Sequence, residues 1–166
     1  MLLPQFDREL ETTRRLIEIV PGAELAWGPG GGARTLAELT GHLAEIPAWT
    51  CGIMNEEGCD LADVRVGGAV GSVTEALGRF DAGAAAGRRT LVGRPDSELV
   101  ADWTLRRDGR GVFSLPRIAM VQTLVLNHLV HHRGQLSVYL RMRACRIPPI
   151  YGPTADDGEP AAGSRW

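Results

Sequence analysis

Three of the four histidines in the sequence fall within nine residues, between Asn127 and Gln135. An α-helix turns about 100° per residue, so His128 and His132 lie roughly 40° apart on one face, one turn apart along the axis. Two imidazoles placed in this way can reach the same point in space, as they do in metal-binding helices. His42 lies on another predicted helix. We therefore predict a metal site made by His42, His128 and His132.

The neighbouring residues predict that all three rings face the interior of the fold. His128 and His132 share a helical stripe with Val121, Leu124, Val125, Gln135 and Tyr139, and His42 shares a face with Leu39, Leu43, Ile46 and Trp49. A buried polar group without a partner costs about 1–3 kcal/mol, whereas one divalent ion satisfies three neutral imidazoles together. The alternative, in which backbone carbonyls or carboxylates bond to core histidines, stays open at this point.

Other polar residues near the histidines have two interpretations each. His131 is a rival ligand, but it lies about 100° from His132 and off the apolar stripe, so we prefer His128 with His132. Gln135 is either an amide that contacts a ligand or substrate, or a structural amide. Glu45, one turn from His42, is either a group that orients a ligand or acts as a base, or a surface glutamate. Trp49 is either a wall of the site or simply core, and Cys51 should face away from His42.

Four helices are predicted to position these residues. Helical periodicity and capping signals give the ranges Gln5–Val20, Thr35–Met54, Ser72–Val92 and Ser114–Ala144. The second begins with a capping box made by Thr35 and Glu38, and Pro47 should kink it. In the fourth, Ser114 is the expected N-cap and Pro116 lies in the first turn.

The segments between the helices predict loops and one hairpin. Asp108-Gly109 is a favoured turn pair, so residues 101–113 are expected to form a short two-stranded ribbon. Residues 55–71 and the glycine-rich Gly28–Gly32 are interpreted as connectors. The tail 152–166 is expected to be extended over the surface or partly disordered.

Composition limits the class of protein. A chain of 166 residues suits one domain, 1–166, and an aromatic fraction of only 5% favours closely packed helices. A net charge of −2 without a basic patch argues against nucleic-acid binding. The three cysteines show no CxxC spacing, no run of residues is long and apolar enough to span a membrane, and no signal peptide is visible. A cytoplasmic location without membrane partners is therefore expected.

The stretch NHLVHHRGQLSVYLR, which ends at Arg141, resembles the C-terminal helix of the DinB/YfiT-like metalloenzymes. The segment YGPTAD from Tyr151, His42 within GHLAEIPAW, the ribbon at Trp103 and Leu115-Pro116-Arg117 also resemble that family. The resemblance implies an all-α, up-down four-helix bundle with a short β-hairpin before the last helix. It also implies one divalent metal ion on the same three histidines, zinc or nickel first and manganese or iron as alternatives, and a homodimer.

The same resemblance implies a function. Members of the family include thiol S-transferases and a thiol-dependent isomerase, in which a metal would lower the pKa of a low-molecular-weight thiol. We therefore expect a metal-dependent transferase that moves such a thiol onto a small-molecule substrate in detoxification or stress. The alternatives are a noncatalytic metal-bound stress or binding protein, a hydrolase that uses a metal-bound water, and a structural bundle without metal. No catalytic acid or base can be named from the sequence.

Overall fold

The computed structural model describes residues 2–64 and 67–157, in which helices predominate over a small sheet. The helices are α1 (Leu2–Glu18), α2 (Leu36–Glu45), α3 (Trp49–Asn55), α4 (Val73–Leu91), α5 (Asp96–Leu99), α6 (Arg117–Met120) and α7 (His128–Met142). The strands are β1 (Gly58–Asp60), β2 (Asp102–Arg107) and β3 (Arg110–Pro116). None of the helices in the described ranges is long and apolar enough to cross a membrane.

Four helical segments pack as a bundle: α1, α2 with α3, α4, and α6 with α7. Helix α1 packs against α4 and α7, and α2 packs against the same two helices, so α1 and α2 lie on a diagonal. Their inward faces form one aliphatic core, whose fully buried members include Leu16, Ile17, Leu36, Leu43, Leu129 and Leu136. The predicted helical bundle is confirmed.

The local signals in the second helical segment are confirmed. The Thr35 hydroxyl accepts the Glu38 N–H at 3.2 Å, and the Glu38 carboxylate accepts the Thr35 N–H at 2.7 Å. Around Pro47 the α-helix is interrupted by a 3₁₀ turn, Ile46–Ala48, which separates α2 from α3. Proline cannot donate a backbone hydrogen bond, and this explains the interruption. The turn lies between His42 and Trp49 in the chain.

Helix α4 begins as the sequence predicts and packs closely on that turn. The Ser72 hydroxyl accepts the Glu75 N–H at 3.0 Å, which caps the helix. A Cβ atom added at Gly87 would lie 2.8 Å from the Pro47 carbonyl oxygen, so only glycine allows the two backbones to approach this closely.

The sheet has one strand more than the sequence predicts. Asp108 and Gly109 form the hairpin turn with φ angles of 52° and 75°, which suits the predicted turn type. Residues 55–71, interpreted as a loop, contain β1, which pairs in parallel with β2. The carboxylate of Asp60 accepts the N–H groups of Ala62, Asp108 and Gly109 at 2.9, 3.2 and 2.7 Å. These bonds fix the hairpin to β1.

The start of the last helix differs from the prediction. Ser114 is not an N-cap: it belongs to β3, where it pairs with Thr104. The strand continues to Pro116, and the helix begins at Arg117. Hairpin pairing therefore outweighs the local capping signal. Residues Val121–Asn127 form a π-helical segment, and α7 follows directly from it.

A buried ion pair joins α7 and α1, and it also bonds to Tyr151, the residue before the tail. Arg133 is 1% exposed, and its guanidinium lies 2.6 Å from the Glu9 carboxylate and 2.6 Å from the Tyr151 hydroxyl. The same guanidinium donates to the Glu9 carbonyl and to the Thr13 hydroxyl. The tail as far as residue 157 lies over the surface, where Asp156 accepts the Ile147 N–H at 2.7 Å. The rest of the predicted tail, 158–166, lies outside the described residues.

Candidate metal centre

The three histidines predicted from the sequence meet between α2 and α7. His42 lies in the last two turns of α2, His128 is the first residue of α7, and His132 follows one turn later. The Nε2 atom of His128 lies 3.2 Å from Nε2 of His42 and 2.7 Å from Nε2 of His132. His42 and His132 are buried, and His128 is half-buried. One ring nitrogen from each residue therefore points to a common centre, where the three can hold a metal ion.

Hydrogen bonds on the far side of two rings fix where their protons lie. His42 Nδ1 is 2.7 Å from Glu45 Oε1, and His132 Nδ1 is 2.8 Å from Gln135 Oε1. Carboxylate and amide oxygens only accept, so each Nδ1 carries the proton and each Nε2 presents a lone pair. Nε2 of His128 can donate at most one proton to these two lone pairs. A cation at the centre would accept a lone pair from all three nitrogens. Three inward-facing lone pairs are the arrangement that a metal ion requires.

The environment keeps the three imidazoles neutral. Burial lowers the pKa of His42, His128 and His132 to about 4, and the positive charge of Arg34 acts in the same direction on each. At pH 7 the rings are therefore uncharged, as metal ligands must be. Bonds of about 2.0–2.1 Å at angles of about 90–110° would separate ligand nitrogens by about 2.8–3.4 Å. The separation of 3.2 Å between His42 and His128 lies in this range, and the 2.7 Å between His128 and His132 needs only a small increase for all three nitrogens to bind one ion.

Glu45 links the histidines to the loop before α4. Its side chain is 17% exposed, and while Oε1 faces His42, Oε2 accepts the N–H of Gly67. Burial raises the pKa of Glu45, and the Gly67 N–H opposes that shift. This is not the environment of a free surface glutamate. Gln135, by contrast, is exposed, so its contact with His132 favours the ligand-contacting interpretation over a buried amide. Nothing in the sequence around Gly67 indicates that its N–H bonds to Glu45.

Replacing Gly67 with alanine is expected to weaken metal binding by about 10-fold, because partners of metal-bound histidines contribute about 10–100-fold to affinity. A Cβ atom at Gly67 would collide with the Glu45 carboxylate and push it away from His42. The matched control is Gly68→Ala, whose added Cβ meets nothing within 4 Å. Calorimetric titration of the metal-free proteins measures both. Equal affinities in the two variants would contradict the role of Glu45.

A groove of about 470 Å³ opens beside the histidines. Its walls include Trp49, Ile53, Leu61, Trp103, Leu105 and Leu124, and His128 forms part of the lining. The Trp49 ring centroid lies 5.7 Å from that of His42 and 5.2 Å from that of His128, so Trp49 is a wall of the site.

His131 is exposed and outside the cluster. Cys51 bonds to Thr90 instead, as its predicted position implies.

Comparisons with known proteins identify the fold and the family. No curated protein matches the sequence. The chain is similar in structure to a DinB-like protein from Bacillus cereus, with a TM-score of 0.70 and 20% identity over 90% of this chain and 95% of that one. It is also similar to the DinB-like protein YjoA from Bacillus subtilis, with a TM-score of 0.68 and 17% identity over 91% and 96%. At these identities the likeness shows the fold. A sequence profile described as the DinB superfamily matches residues 5–136, and the chain therefore belongs to the DinB superfamily.

Proposed function

We propose that this protein is a metal-dependent transferase that adds a low-molecular-weight thiol to an electrophilic small molecule in detoxification or stress. The observation that carries the proposal is the convergence of three neutral imidazole Nε2 atoms beside a groove large enough for a substrate. Three protein ligands leave coordination positions open, which is typical of catalytic sites rather than structural ones. The ligands are His42, His128 and His132, and zinc or nickel suits imidazole donors, as do manganese and iron.

The residues around the centre support this chemistry in separate ways. A divalent ion, when bound, supplies the positive charge that lowers the pKa of a thiol towards neutral pH. Glu45 and Gln135 hold the Nδ1 protons of His42 and His132, so that both rings keep their orientation. Trp49 packs against the rings of His42 and His128 and adds an apolar wall beside them.

The reaction needs no oxidant or reductant. In the addition of a thiol to an activated carbon–carbon double bond, a sulfur–carbon bond forms and the π bond breaks. The electron pair of the π bond then takes up the proton that the thiol gives up. The addition needs no separate buried acid or base. This agrees with the hydrogen bonds of Glu45, whose carboxylate already accepts from His42 and Gly67.

Thiol consumption tests the proposal. We expect metal-loaded protein to accelerate the reaction of at least one cellular thiol with a fluorogenic enone, and His132→Ala to abolish the acceleration. His131→Ala is the matched control, since His131 is exposed and outside the cluster. No metal-dependent consumption with any thiol would overturn the transferase proposal. Metal-dependent ester cleavage without thiol would favour the hydrolase alternative, and bound metal without turnover would favour the noncatalytic one.

We also propose that the protein acts in the cytoplasm as a homodimer. Cys51, Cys59 and Cys145 are all free thiols, which supports a reducing compartment. The dimer follows from the family resemblance, and sedimentation velocity of the purified protein tests it.

A further inference from the structure

The small sheet ends at an open edge on strand β3. The strand order is β1-β2-β3, so β3 pairs with another strand on one side only. Ser114 lies opposite Thr104 in that pairing, and the Thr104 N–H points away from β3, where it donates to the Glu57 carbonyl at 3.1 Å. Residues opposite each other in an antiparallel pair either bond to each other or both point away. The N–H and the carbonyl of Ser114 therefore face outward, and among the described residues none bonds to them.

The side chains at this edge are apolar and exposed. Four large hydrophobic residues on β3 or just after it are 37–52% exposed: Val112, Phe113, Leu115 and Ile118. No charged residue occurs from Gly111 to Pro116. An open edge with apolar side chains and no charge is a template for a further strand. Pro116, which has no N–H, ends this edge, so the strand that fits it is short.

We propose that this edge pairs with the same edge of a second copy of the chain, antiparallel and about a twofold axis at Ser114. The Ser114 N–H of each copy then donates to the partner's Ser114 carbonyl, and the two three-stranded sheets form one sheet of six strands. Such an interface uses the same surface on both copies, as twofold dimers do. The inference rests on the homodimer proposed above and names the surface that forms it.

The side-chain pairs that this axis creates are apolar, which supports a second copy as the partner. Phe113 lies opposite the partner's Leu115, and Leu115 lies opposite the partner's Phe113. Within each copy these two residues already lie beside Leu105 and Trp103 of β2. The apolar row would therefore continue without a break from one sheet into the other, and cross-strand pairs of this kind stabilise a sheet.

The other face of the sheet and the charges fit the same axis. Ser114 lies next to the partner's Ser114, and each hydroxyl already accepts a hydrogen bond from Thr104 at 3.1 Å. Arg110 and Arg117 lie outside the paired residues Val112–Pro116, so no like charges face each other. A shift of the pairing by one residue would move Arg110 towards the partner's Arg117, and charge repulsion opposes that shift.

A proline at the centre of the edge tests the pairing. The Ser114 N–H has no backbone partner among the described residues, so Ser114→Pro removes an outward donor and leaves the backbone bonds between β2 and β3 in place. We expect the dissociation constant of the dimer to rise by at least about 10-fold, because one hydrogen bond is lost on each side of the axis. Ser114→Ala is the matched control, since it removes only the hydroxyl and should keep the dimer. Sedimentation velocity measures the association, and circular dichroism shows whether each variant is folded.

A charge pair tests the register without any proline. Phe113→Glu should separate the copies, because it places a carboxylate against the partner's Leu115. Adding Leu115→Lys to the same chain should restore the dimer, because each new carboxylate then faces a new ammonium group of the partner. Val138→Glu is the control, since Val138 is exposed on α7 and its replacement should leave the dimer intact.

The outcomes separate this inference from the proposed function. A dimer that survives both Ser114→Pro and Phe113→Glu would assemble through another surface and would overturn the inference. A Phe113→Glu monomer that Leu115→Lys does not restore would overturn the axis at Ser114. A wild-type protein that stays monomeric at all concentrations would overturn the homodimer together with this interface. A failed transferase assay would leave the sedimentation results unchanged, so the two proposals can fail separately.

Discussion

Replacing His132 with alanine is expected to lower metal affinity by at least about 100-fold, so that the purified protein carries well below one ion per chain. The lower bound follows because changes to partners behind a ligand already cost about 10–100-fold, and this change removes a ligand itself. Two imidazoles, His42 and His128, would remain, and they offer too few bonds to hold an ion in competition with buffer and water. Metal analysis and titration of protein purified without a histidine tag give the measurement.

The sequence supplies an unusually close control for this experiment. His131 is the neighbouring residue on the same helix, but it is exposed and its nitrogens lie outside the cluster. His131 reaches the centre only through the Gln135 amide, whose Nε2 lies 3.2 Å from the His131 Nε2, so His131→Ala should lose far less metal than His132→Ala. Equal losses in both variants would show that metal is held at the surface, and the centre between α2 and α7 would have to be abandoned.

Replacing Arg133 with methionine is expected to lower the free energy of unfolding by about 3–5 kcal/mol, because it leaves the Glu9 carboxylate buried without its partner. Glu9 is 6% exposed and is bonded to Arg133 and Tyr151. Against a total stability of about 5–15 kcal/mol, this loss is large. Urea unfolding followed by circular dichroism measures it.

Two comparisons separate burial from charge. Arg88 makes a bidentate ion pair with Asp7 at the surface, where its side chain is 51% exposed. Arg88→Met should cost less than about 1 kcal/mol. The double variant Glu9→Leu with Arg133→Met removes both charges and should be more stable than Arg133→Met alone. If the single changes at Arg133 and Arg88 cost the same, the buried network does not stabilise the fold.

The parts of the fold that local chemistry determines could be predicted from the sequence. Thr35 with Glu38 and Ser72 with Glu75 are three residues apart, so their caps depend only on their own helix. The Asp108-Gly109 turn depends on two adjacent residues. His128 and His132 also meet because of helical spacing alone, and the apolar stripe around His42 indicated that this ring turns inward as well.

Contacts between distant segments could not be predicted in this way. Strand β1 has only three residues and no alternating pattern, and it forms because β2, far along the chain, offers an edge to pair with. Gly67 and Glu45 are 22 residues apart, and Arg133 and Glu9 are 124 apart. Ser114 has the residue type of a cap but lies in a strand, because its pairing with Thr104 extends the hairpin. In each case a partner that is absent from the local sequence decides the outcome.

The position of the three imidazoles would give a bound metal ion a mechanical role as well. His42 and His128 are 86 residues apart in the chain and belong to different helices. An ion between them would join the two helices reversibly and, because it binds the folded chain, would stabilise the fold by mass action. A free ion concentration of about 100 times the dissociation constant would add about 2.7 kcal/mol to the free energy of unfolding. Resistance to proteases, and hence the lifetime of the protein in the cell, would then rise and fall with the local supply of the ion.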